Sequence, residues 1–237
     1  MSTVRIGKVE LGKVPRVVGT ITTRASLPGR GEVPAYPCDI VEVRLDLIGS
    51  DTPDWLAECR AIESSGRPVL LTLRSADEGG KWMGADQGRL SYILTALEAL
   101  SCVDVELLSG ICGVVCDKAL QLGKPVIVSY HNFQRTPGLS ELEDILGKMR
   151  DYPAAIPKLT SMVKQAADIE TLNALLAKHR DKPLCVIGMG AMAAETRVSF
   201  PLMGSCLTYG YIDASSAPGQ CSASELTRRL TARNHDC

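Results

Sequence analysis

Eight short runs of β-rich apolar residues recur along the 237-residue chain, at 16–22, 39–45, 68–74, 102–107, 125–131, 155–160, 184–189 and 206–210. Segments with helical spacing lie between and after them, at 53–65, 87–100, 111–122, 139–150, 164–178, 191–201 and 223–233. A strand-and-helix repeat of roughly 30 residues, made eight times, matches the (β/α)8 barrel. No Ser-, Gly- or Pro-rich linker and no shift of composition divides the chain. The expectation is therefore an α/β fold, a single (β/α)8 barrel forming one catalytic domain over residues 1–237. An open doubly wound sheet is the other α/β architecture to weigh, and Ile187-Gly-Met-Gly-Ala-Met192 would be its glycine signal. That signal comes too late in the chain for a dinucleotide fold to complete itself, and no ribose-binding acid follows it.

Charge narrows the partners. With 26 basic and 27 acidic residues, a net charge of −1 and no block of like charges, the chain has no electrostatic footprint for nucleic acid or an anionic membrane. The longest uncharged stretches, 183–194 and 198–212, are too short to span a bilayer. The opening MSTVRIGKVELGKV has no apolar signal core, so the protein is expected to stay in the cytoplasm with a small molecule as its partner. Nine cysteines sit mostly in apolar runs or on helical stretches, which fits buried thiols in a reducing compartment. They form no CxxC or paired Cys/His spacing, so no structural metal is expected.

A barrel strand sends alternate side chains inward, where Val, Ile and Leu are usual. In Asp39-Ile-Val-Glu-Val-Arg-Leu-Asp46, Val41, Val43 and Leu45 share the face that suits packing under helices. Glu42, Arg44 and Asp46 share the other and are predicted to point inward. The same alternation sends Thr72 and Arg74, Asp104 and Glu106, Ser129 and His131, and Lys158 into one interior. Each buried charge costs several kcal/mol unless pairing and hydrogen bonds offset it. Spacing leaves two explanations open: structural ion pairs, or an active site at the carboxyl ends of the strands.

Of the three histidines, His179 lies at a charged helix end and His235 in the terminal tail, and both are expected to be solvated. His131 closes the apolar run Val126-Ile-Val-Ser-Tyr-His131 and is the candidate for proton transfer near pH 7; a satisfied core histidine is the alternative. Lys158 stands in Ala154-Ala-Ile-Pro-Lys-Leu-Thr160, where a lysine is rarely buried without a role. Desolvation and cationic neighbours favour an uncharged amine, the form that attacks a carbonyl carbon. A lysine snorkelling from a strand end is the other explanation. A lysine and a histidine inside one barrel point to imine chemistry with proton transfer.

Six collinear motifs sharpen this picture. Glu42-x-Arg44, Arg74-Ser-Ala-Asp-Glu78-Gly-Gly80, Ser129-x-His131-x-Phe133 followed by Thr136-Pro137, Pro157-Lys158, Thr196-Arg197 and Ser216-Ala217-Pro218-Gly219-Gln220 together resemble type I 3-dehydroquinate dehydratase across nearly the whole chain. The resemblance implies a carbon–oxygen lyase of the shikimate pathway. Such an enzyme converts 3-dehydroquinate to 3-dehydroshikimate and water through a lysine imine, with no metal and no organic cofactor. By resemblance, Lys158 forms the imine, and His131 removes the C2 proton and then assists departure of the C1 hydroxyl. Glu78 would hold and tune His131. Arg197 would pair with the substrate carboxylate, which a planar guanidinium fork suits. Glu42, Arg74, Ser216 and Gln220 would hydrogen-bond substrate hydroxyls, with Ala217 in the same binding segment and Thr20 a further contact. Arg44 would support the surroundings of the lysine. The segment 213–220 would close over substrate, although its composition also fits a plain turn. The family also implies a homodimer.

The chain departs from the family pattern at Asn132, where Asp is common, at Tyr209, where Phe is common, and at Ala193, where Gly often precedes the Thr/Ser-Arg pair. A class I aldolase-like barrel with a lysine imine is the alternative enzyme, and the glycines after Ile187 would be its phosphate site. Arg197 among the polar groups of Ser216 to Gln220 fits a carboxylated polyol instead. A catalytically inactive barrel used as a binding module is the third possibility, and intact Lys158, His131 and Glu78 argue against it.

Overall fold

The alternation of strands and helices is what the chain builds. The computed structural model describes residues 4–29, 31–215 and 220–234. A hairpin comes first, β1 (Arg5–Ile6) antiparallel to β2 (Val9–Glu10). Then come β3 (Arg16–Ile21), β4 (Ile40–Arg44), a one-turn helix α1 (Leu45–Ile48), α2 (Trp55–Ser64), β5 (Val69–Thr72) and α3 (Asp86–Ala99). The second half holds β6 (Cys102–Glu106), α4 (Cys112–Gln121), β7 (Val126–Asn132), α5 (Leu139–Arg150), β8 (Ala155–Met162) and α6 (Ala166–Lys178). It ends with β9 (Cys185–Met189), α7 (Thr196–Leu202), β10 (Leu207–Tyr211) and α8 (Ala223–Asn234).

The strands β3 to β10 are hydrogen-bonded in parallel in the order β10-β3-β4-β5-β6-β7-β8-β9. At the remaining seam, Cys206 N–H donates to Leu184 C=O at 2.9 Å, and Val186 N–H donates to Ser205 Oγ at 3.0 Å. Eight parallel strands nearly closed on themselves, with the helices outside, make this the (β/α)8 barrel that the repeat predicts.

Side-chain alternation divides the core. Outward-facing Val41, Val43, Val69, Leu71, Val103 and Val128 are buried under the helices. On α5 the residues at i, i+4 and i+7, Leu142, Leu146 and Met149, face them. Each such side chain contributes about 1.5–3 kcal/mol on burial. Inside the barrel, Val18, Ile40, Leu70, Cys102, Ile127, Ile156, Cys185 and Leu207 make an apolar layer, with Ile6 and Leu11 in the same cluster. Two residues further along the same strands come Thr20, Glu42, Thr72, Asp104, Ser129, Lys158, Ile187 and Tyr209.

Local chemistry explains several boundaries. Gln165 and Asp168 form a reciprocal capping box at α6, and Ser222 Oγ accepts from Glu225 N–H at the start of α8. Gly123 ends the α4 connection with φ of 63°. The structure differs from the sequence expectation in four places. Residues 5–10 form the unpredicted hairpin. Leu45 begins α1 instead of ending a strand. The helix expected from residue 53 starts at Trp55, after Asp54 in the left-handed region at φ 66° and without a side-chain cap. His179 is half-buried rather than solvated, with Nδ1 3.0 Å from Arg150 Nη1; His235 lies outside the described residues. The described cysteines are free thiols, buried except for half-buried Cys221. No described helix is long and apolar enough to cross a membrane.

Candidate active site

Glu42, Thr72, Arg74, Asp104, Glu106, Ser129 and Lys158 are all buried at the carboxyl half of the barrel, and they satisfy one another. Glu42 accepts from Thr20 Oγ1 at 2.8 Å and from Thr72 Oγ1 at 2.7 Å. Arg74 lies 2.8 Å from Asp104 Oδ1 and 3.2 Å from Glu106 Oε1, and it donates to Ser129 Oγ at 2.7 Å. Glu106 in turn holds Arg89 at 2.6 Å. Asp104 ends this chain of alternating charges by accepting from Lys158 Nζ at 3.1 Å. Burial pushes the Asp104 carboxyl up, but Arg74 and Lys158 outweigh it and hold the group well below the usual carboxylate range. The network therefore supplies the partners that buried charges require. The Tyr209 ring lies beneath the amine, its centroid 4.3 Å from Lys158 Nζ.

His131, next to last in β7 on its inward face, meets the loop that follows β5. Glu78 Oε2 lies 2.8 Å from His131 Nδ1 and accepts from the His131 backbone N–H at 3.1 Å. Glycines allow that loop its path. Gly79 has φ of 77°, and a Cβ there would overlap the Phe133 ring; a Cβ at Gly80 would overlap the Arg74 carbonyl. Phe133 stacks on His131, with centroids 6.3 Å apart. Burial pushes Glu78 up to about 7, against the pull of Arg74. Burial, with Arg74 and Lys158 nearby, pushes His131 well below the usual imidazole range. Both shifts share a cause, since an enclosed site disfavours the ion pair and favours a neutral carboxyl–imidazole pair.

Arg197, on the first turn of α7, is buried and donates through Nη1 to the Tyr209 carbonyl at 3.1 Å. Among the described residues no carboxylate is within ion-pair distance of it, and desolvation lowers its pKa. Such a guanidinium favours an incoming anion.

Thr20, Glu42, Arg44, Arg74, Glu78, His131, Lys158, Arg197 and Gln220 all line one cavity of about 120 Å³. The structure thus brings together every described residue of the predicted site. Ser216 and Ala217 lie outside the described residues. Two placements refine the expectation. Thr20 points at Glu42. Arg44 lines the cavity with Lys158 and is tied to Asp46 by a bidentate pair at 2.9 and 2.8 Å. Asp104 was visible as an inward acid, but its contact with Lys158 was not, because alternation fixes a face and not a partner across the barrel. The same alternation places Thr160 inward on β8, and it lines the cavity.

A family model for type I 3-dehydroquinase matches residues 10–236. A 3-dehydroquinate dehydratase of Methanosarcina barkeri is 37% identical over 238 residues, 96% of this chain and 98% of that protein. One of Salmonella agona is 29% identical over 247 residues, 98% of each. The crystal structure of a type I 3-dehydroquinate dehydratase of Clostridium difficile with covalently modified comenic acid matches with a TM-score of 0.85. It is 24% identical and covers 100% of this chain and 99% of that one. A dihydropteroate synthase of Xanthomonas albilineans, 11% identical with a TM-score of 0.62 over 100% of this chain and 98% of that one, shares the fold alone. With a family model spanning nearly all of it and a relative 37% identical over 96% of it, this chain belongs to the type I 3-dehydroquinase family.

Proposed function

We propose that residues 1–237 act as one catalytic domain that converts 3-dehydroquinate to 3-dehydroshikimate and water through an imine on Lys158. Membership of a family of lyases supports the reaction class. One observation carries the finer reading: a buried lysine amine, an imidazole held by a carboxylate and a buried guanidinium without a carboxylate partner among the described residues converge on one cavity.

Lys158 gives up a proton as its amine adds to the substrate ketone; the adduct takes that proton back and loses water, leaving a protonated imine. That cation draws electrons from the adjacent carbon and acidifies its C–H bond. His131 takes the C2 proton through Nε2, leaving an enamine. The enamine then expels the C1 hydroxyl, which departs as water with the proton that His131 returns. Water hydrolyses the conjugated imine, releasing product and restoring the amine.

Glu78 decides whether His131 is ready. When ionised, Glu78 Oε2 accepts the Nδ1 proton and leaves Nε2 as the base. When protonated, it donates to Nδ1 and the ring proton rests on Nε2, which then cannot take another from substrate. This tautomer is assigned from the 2.8 Å contact. Arg197 clamps the substrate carboxylate, while Glu42, Arg74 and Gln220 meet its hydroxyls. Arg44 holds its place through Asp46, and Thr20 acts through Glu42.

The test is turnover of 3-dehydroquinate by the purified protein in the presence of a chelator, followed as ultraviolet absorbance of the conjugated product. Absorbance that grows in proportion to enzyme is expected. A folded protein that leaves 3-dehydroquinate unchanged contradicts the assignment.

A further inference from the structure

Two hydroxyls in the wall of the candidate site are buried without a hydrogen-bond partner among the described residues, Thr160 Oγ1 and Tyr209 Oη. A buried hydroxyl left unpaired is costly, so each calls for an explanation. The two differ in position. Tyr209 lies with its ring under Lys158, the centroid 4.3 Å from Nζ, and belongs to the inner apolar cluster.

Thr160 sits on the cavity side. It stands two residues beyond Lys158 on the inward face of β8, one step nearer the carboxyl end. It is also the registered neighbour of His131 across the β7–β8 pair. It is 4% exposed and lines the same cavity as both residues. Its hydroxyl therefore flanks the amine that holds the substrate carbonyl carbon and the imidazole that moves the proton.

We infer that Thr160 is a further catalytic residue, whose hydroxyl hydrogen-bonds the departing C1 oxygen and holds it toward His131. This rests on the Lys158 and His131 reading above. If one imidazole both takes the C2 proton and returns it to the leaving oxygen, that oxygen must lie on the His131 side of the imine. There, the described residues offer Thr160 as an unpaired hydroxyl. A hydroxyl suits the step, because it accepts from the C1 hydroxyl before the bond breaks and donates to the oxygen as negative charge develops on it. The bond grows stronger on the way to the transition state, so it acts on kcat more than on KM.

The test compares wild type with Thr160→Val and Thr160→Ser, with borohydride trapping followed by mass spectrometry. Thr160→Val keeps the shape and removes the hydroxyl. It should lower kcat about ten-fold with little change in KM, the effect of one neutral hydrogen bond lost from a transition state. Its trapped Lys158 adduct should shift toward the species heavier by one water, because elimination is slowed after the imine has formed. Thr160→Ser should recover most of kcat. Unchanged kcat and an unchanged adduct in Thr160→Val, with a Lys158 adduct intact in wild type, overturn the role of Thr160 alone. Absence of any Lys158 adduct in active wild type overturns the imine reading and this inference with it.

Discussion

The two layers inside the barrel come from the same eight strands and differ by two residues of register. The layer through Ile127 and Ile156 is apolar, and its eight members are 0% exposed. The layer through Ser129 and Lys158 is also buried, at 0–6% exposed, yet it holds Asp104, Glu42 and Lys158. Burial is therefore not what separates them. The apolar layer needs only shape, whereas the polar one is stable only because Arg74, Asp104, Ser129 and Glu106 close on one another within 3.2 Å. The fold places its framework at one level and its reactive groups one step further along.

If that division is right, substitutions in the two layers fail in different ways. Lys158→Met removes the reactive amine and should abolish turnover by roughly a thousand-fold or more. The protein should still fold, because Asp104 keeps Arg74 and Ser129 as partners. Steady-state kinetics beside a thermal melt check both halves of that statement.

Ile127→Ala, one step below, should do the reverse. A cavity in the apolar layer costs about 2–5 kcal/mol of stability in denaturant titration, while kcat/KM of the folded fraction stays within about two-fold. Loss of activity without loss of stability there would break the comparison.

The smallest effect is a pH dependence. With Glu78 at about 7, kcat/KM should rise as pH passes upward through that value, and Glu78→Gln should flatten the rise. Stability moves the other way. The folded-state value lies above the ordinary 4.5, so the contribution of this carboxyl is complete below about 4.5 and is lost as pH rises through about 7. Over that interval the melting temperature of the wild type should fall relative to Glu78→Gln.

Much of this was legible in the sequence, since period-two alternation needs no partner to be read. It sent Glu42, Asp104, His131 and Lys158 inward, and the structure has Glu42, His131 and Lys158 lining the cavity and Asp104 against Lys158. What stayed hidden depends on distant parts of the chain. The hairpin of residues 5–10 has strands of two residues, too short for any period, although Ile6 and Leu11 are buried in the inner apolar cluster. Arg44 and Asp46 look like neighbours of the lysine by face, yet α1 begins at Leu45 and turns them onto each other. Thr160 carries no charge to mark it in an apolar run, and only its lack of a partner among the described residues singles it out.

The claim that Lys158 forms an imine has a direct test. Sodium borohydride added with 3-dehydroquinate should inactivate the enzyme and leave one covalent adduct, which peptide mass spectrometry maps to Lys158. An adduct on another lysine, or active enzyme that borohydride neither labels nor inactivates during turnover, would contradict the mechanism.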